Sequence, residues 1–121
     1  MQEFITYIDE AVQNLEKEEQ MLVNSERKDE SNLVKIRINI YGICKTVLNV
    51  VAKGGNPAWK DAYLQKLTVL SGNWRTSYEK AKEHNDVEKL VIEEIKLETM
   101  KEIMKKCEEI CGEAYGKTCA E

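Results

Sequence analysis

The residues best suited to chemistry in this 121-residue chain are four cysteines and one histidine. Cys107 and Cys111 lie one helical turn apart, the spacing that lets two thiols face one ligand. No second pair and no nearby histidine complete a zinc set, so no metal is expected. Carboxylate-bridged metal pairs in helical bundles use Glu-x-x-His. The only histidine is His84, and position 81 is alanine. Glu94 and Glu98 are one turn apart, but they share a face with Lys101 and Lys105 and read as solvated. His84 fits better as a residue that favours a helix C-terminus through the dipole.

Nucleophilic chemistry has no better support. There is no Gly-x-Ser-x-Gly turn and no Cys–His neighbourhood. Gly54-Gly55-Asn56 precedes a helical stretch, where backbone N–H groups can meet an anion. It lacks the lysine and spacing of a nucleotide loop and reads as a connecting turn. No catalytic residue and no cofactor is expected, and the leading reading is not an enzyme.

One polar set falls where apolar residues should be. Arg37 lies within the apolar arc of the second helix. Lys96 sits among Ile92, Met100 and Ile103, with Glu93 at its edge. Glu19 interrupts the stripe of the first helix. In an up-down-up-down bundle these residues and Tyr78 fall near one end. A desolvated Arg37 should then pair with Glu19 or Glu93, because an unpaired buried charge is costly. Glu19, Arg37, Tyr78, Glu93 and Lys96 thus form a candidate pocket for a small anion or polar molecule. Long side chains snorkelling to water are the simpler reading.

The elements that must position these groups are helices. Helical periodicity divides the chain into four segments, about 2–24, 30–53, 57–84 and 86–115. The third has a candidate kink or break near Gly72, at Ser71-Gly72-Asn73. Gly54 to Pro57 is the firmest punctuation, with Asn56 as cap and Pro57 in the first helical position. Asp29 or Ser31 is the expected cap of the second helix, and Asp86 that of the fourth. Residues 116–121 are expected to fray.

The expected core stripes are Phe4, Ile8, Val12, Leu15 and Leu22, then Leu33, Ile36, Ile40, Ile43, Val47 and Val50. Trp59, Tyr63, Leu67, Leu70, Trp74, Tyr78 and Ala81 follow. The last holds Ile92, Ile95, Ile103, Cys107, Ile110 and Ala114, flanked by Met100, Met104 and Cys111. The aromatic residues at helical spacing read as core, not as a ligand wall. Helices this long on short connections give an antiparallel four-helix bundle, one domain over 1–121.

Helix 2 is apolar over more of its circumference than a bundle stripe needs. Val34, Ile38, Tyr41 and Leu48 are therefore candidate interface residues, with a homodimer through helix 2 as the commonest solution.

The composition, 42% hydrophobic and 33% charged, suits a soluble globular protein. The net charge of −4 argues against nucleic acid as a partner. Five polar residues interrupt the most apolar stretch, 33–52, so no membrane partner is expected. The start, MQEFITYIDE, has no leader-like pattern. A cytoplasmic protein with reduced thiols is expected. It would act as a helical interaction or regulatory protein whose partner is itself or another protein.

Overall fold

A computed structural model describes residues 1–55 and 57–112. Four helices follow one another: α1 (Gln2–Asn24), α2 (Lys28–Lys53), α3 (Trp59–Glu83) and α4 (Val87–Cys107). A single π-helical turn, Glu108–Gly112, continues α4. The molecule is an all-α four-helix bundle. The expected Asn56 cap, Ala114, Cys119 and the fraying of 116–121 lie outside the described residues.

The helix ends follow from local chemistry. α1 closes at Ser25, whose Oγ donates to the Met21 carbonyl at 2.9 Å. Glu26 then takes a left-handed conformation, φ 61°, a costly choice for a residue with a Cβ. α2 starts at Lys28, earlier than the expected caps. Arg27 precedes it and pairs with Glu30 one turn on. Neither Asp29 nor Ser31 is the cap. The Ser31 hydroxyl instead donates to the Lys28 carbonyl inside the helix.

At the other end of α2, Gly54 stays right-handed and Gly55 turns left-handed, φ 62°. That conformation is cheap only for glycine. Pro57 precedes α3 by two residues instead of opening it, and Ala58 holds the N-cap position. Asn85, φ 55°, reverses the chain after α3. Asp86 caps α4 as expected, accepting from the Lys89 N–H at 3.2 Å.

α3 runs unbroken through Ser71-Gly72-Asn73. A Cβ at Gly72 would meet nothing within 4 Å. The glycine faces open space, so it neither seats a close contact nor interrupts the helix.

α2 is the central element. It packs on α1 and α4 extensively and on α3 less so, while α3 leans mainly on α4. The core joins Phe4 and Ile8 to Ile40, Tyr41, Cys44, Leu48, Val51, Tyr63, Leu67, Met100, Ile103 and Cys107. At one end the ring of Phe4 meets Tyr63 edge-on at 5.8 Å. The Tyr63 hydroxyl is satisfied by the Cys44 carbonyl at 3.0 Å. Thr99, also buried, spends its hydroxyl on the Ile95 carbonyl.

The face that α2 turns inward differs from the expected stripe. Val34, Ile40, Tyr41, Cys44, Leu48 and Val51 are buried, whereas Ile43 is 39% and Val50 59% exposed. Three of the four candidate interface residues, Val34, Tyr41 and Leu48, thus belong to the core of one chain. Ile38 is half-buried beside Val12 of α1. Contacts with two partners, α1 and α4, set this rotation. Cys44 Sγ meets Met100 Sδ at 3.8 Å, and Tyr41 meets Tyr7.

Candidate functional site

The five residues of the candidate polar layer fall into four settings, and only Glu93 and Lys96 meet. Glu19 of α1 pairs with Lys35 of α2 at 3.6 Å. Glu93 and Lys96 pair within one turn of α4 at 3.1 Å. The Lys96 ammonium also stands 5.1 Å from the Trp74 ring centroid, a cation–π distance. Tyr78 lines a groove of about 600 Å³ between α3 and α4, whose walls include Arg75, Glu94, Lys101 and Met104. Arg37 lines a different, smaller cleft among α1, α2 and α4.

Arg37 therefore pairs with neither Glu19 nor Glu93. Lysines closer to each carboxylate supply the partner. Lys96 is three residues from Glu93 on one helix, the spacing at which side chains meet without tertiary help. Lys35 lies on the flank of α2 that faces α1.

The Glu93–Lys96 pair is the most buried ionic feature described. Glu93 is 5% exposed, and its Oε2 has no hydrogen-bond partner while Oε1 takes the lysine. Sequence reading placed Glu93 at the edge of the apolar arc. The structure puts it inside.

Two of the thiols, Cys44 and Cys107, are held away from reaction. Burial pushes Cys44 and Cys107 up from the ordinary 9.0 to about 12. At neutral pH both are thiols, poor nucleophiles and poor ligands. Burial likewise raises Tyr41 and Tyr63. Among the described residues, no three His, Cys, Asp or Glu side chains come together as a metal set. No described helix is long and apolar enough to cross a membrane.

One surface feature was not read from the sequence. Asn32, Ile36, Asn39, Ile43, Thr46 and Val50 follow a 4-3-4-3-4 spacing along α2. That spacing keeps them on one helical face. All are exposed except half-buried Ile36. None carries a charge, in a chain of which one-third is charged. The signal was available, since none of the six positions on this face from Asn32 to Val50 is Lys, Arg, Asp or Glu. The wider apolar arc of the same helix hid it.

Compared with protein-family models, curated proteins and solved structures, the chain finds no match.

Proposed function

We propose that this chain is a non-catalytic helical interaction protein whose α2 strip takes up a second copy of itself. The observation that carries this reading is the uncharged strip from Asn32 to Val50, with Ile43 and Val50 open to solvent. Depletion of charge marks the centre of protein interfaces more reliably than hydrophobicity does.

A second copy is the occupant that best suits the strip. A two-fold interface lays the same patch on both chains. For a chain of net charge −4, a patch free of charge avoids like-charge contacts across the axis. The pattern also repeats in sevens, as Ile36, Ile43, Val50 and as Asn32, Asn39, Thr46. Two parallel α2 helices would set Ile against Ile and Asn against Asn, the pairing that holds register in helical dimers.

The test is the double variant I43K/V50K. Both side chains are exposed, so the fold and its far-UV circular dichroism stay unchanged. Light scattering then gives a single-chain mass where the wild type gives a two-chain mass. Val69 on α3 is 62% exposed and off the strip, so V69K keeps the two-chain mass. Equal masses for wild type and I43K/V50K would refute the reading.

A further inference from the structure

The cleft beside Arg37 holds charged groups that the fold leaves unpaired. It measures about 290 Å³ and is lined by Tyr7, Glu10, Asn14, Arg37, Tyr41 and Glu102. Arg37 is half-buried. Among the described residues it makes no ion pair and no side-chain hydrogen bond, so the five N–H donors of its guanidinium are unspent. Glu10 and Glu102 line the same cleft, yet neither comes within ion-pair distance of Arg37 or of any other described cation.

The two tyrosines add a further donor. Their hydroxyls are 2.9 Å apart. Only one can donate to the other, and whichever does leaves its neighbour's proton free. Both rings line the cleft. The remaining wall is apolar and small, from Ala11 and Leu15.

We propose that this cleft binds a small zwitterion, an α-amino acid or a close analogue carrying an ammonium and a carboxylate. The ligand carboxylate takes the planar fork of Arg37, which suits a carboxylate in two parallel hydrogen bonds, and the free tyrosine hydroxyl. The ligand ammonium takes Glu10 and Glu102. A plain anion suits the cleft less well, because two carboxylates border the guanidinium. A plain amine leaves Arg37 unsatisfied. The gap between cation and carboxylates, too wide for a direct ion pair, suits a ligand with both charges. The volume lies at the lower limit of ligand pockets, so the ligand is a small molecule. Ala11 and Leu15 favour an aliphatic side chain. This site uses the flank of α2 opposite the uncharged strip and does not depend on self-association.

The experiment is a nuclear magnetic resonance titration of the full chain with each of the twenty free L-amino acids. Propionate and isopropylamine serve as single-charge probes. At least one amino acid should shift the Arg37, Tyr7 and Tyr41 signals saturably, and each single-charge probe should bind at least tenfold more weakly. R37M should abolish binding, and R37K, which keeps the charge but loses the fork, should weaken it at least tenfold. E10Q/E102Q should weaken the amino acid and not propionate. The proposal is overturned if no amino acid saturates, if propionate binds as well as the amino acid, or if a folded R37K binds as the wild type does.

Discussion

At the scale of single residues, this protein stores its ionisable groups in ways that solution measurements can read. Cys44 and Cys107 titrate at 9.0 when free and at about 12 in the fold. Above pH 9 the unfolded chain has lost protons that the folded chain still holds. Stability therefore falls as pH rises from 9 towards 12, by about 1.4 kcal/mol per pH unit for each thiol. Urea unfolding across that window should show the fall. Cys44→Ala should reduce the slope by about one thiol's share, even though the small cavity also lowers the stability at neutral pH. An unchanged slope would mean that burial does not hold the Cys44 proton.

Glu93 gives a second residue-scale test. Its buried Oε2 is unsatisfied, so the carboxylate stabilises little on its own account. Lys96, 23% exposed at its side chain, is its only described partner. Glu93→Met should leave stability within about 1 kcal/mol of wild type or raise it, because an apolar side chain of similar size suits the site. Lys96→Ala should cost more, roughly 1–3 kcal/mol, by leaving the carboxylate buried without a cation. Equal losses in chemical denaturation would contradict this asymmetry. Positions of this kind were only half legible beforehand. The helical wheel placed Arg37, Glu93 and Lys96 near apolar arcs, but it says nothing of reach. Which cation meets which carboxylate depends on local spacing and helix rotation, and both favoured the nearby lysines over Arg37.

At the scale of elements, the periodicity and caps of the chain carried most of the information. All four helices are where the apolar spacing puts them, and Asp86 caps α4 because its carboxylate reaches the Lys89 N–H. Asp86→Ala should cost about 1 kcal/mol by thermal or urea unfolding. Glu26, with φ 61°, predicts the opposite sign. Glu26→Gly relieves a left-handed strain of roughly 1 kcal/mol and should raise the melting temperature. A fall on Glu26→Gly would show that the turn is held by its side chain.

What the periodicity did not give is the rotation of α2. A helix with apolar residues around so much of its surface has several near-equivalent inward faces. The choice among them is tertiary, made by Tyr7 and Met100 on two other helices. The unbroken rhythm from Leu33 to Val50 therefore pointed to one flank of the buried face, and the centre moved to Cys44 and Leu48. Periodicity alone leaves the continuity of α3 open for a related reason. Ser71-Gly72-Asn73 is a poor helical sequence alone, but Ser71 and Trp74 are half-buried, and packing on both sides carries the helix across.

At the scale of the whole molecule, the bundle leaves two flanks of α2 with different tasks. One presents Arg37 to a small polar cleft. The other carries the uncharged strip, five of its six residues exposed, with Ile43 and Val50 open. Helical bundles carry no function by virtue of their fold, so these surfaces, not the architecture, support a functional reading. Because the strip repeats every seven residues, pairing two copies along it needs no rearrangement of the core. The most direct measurement of the central claim is sedimentation equilibrium of the wild-type chain over a range of concentrations. The account predicts a mass that rises with concentration from one chain to two and no further, as a closed two-fold pair requires. A mass that stays at one chain at every concentration would contradict it.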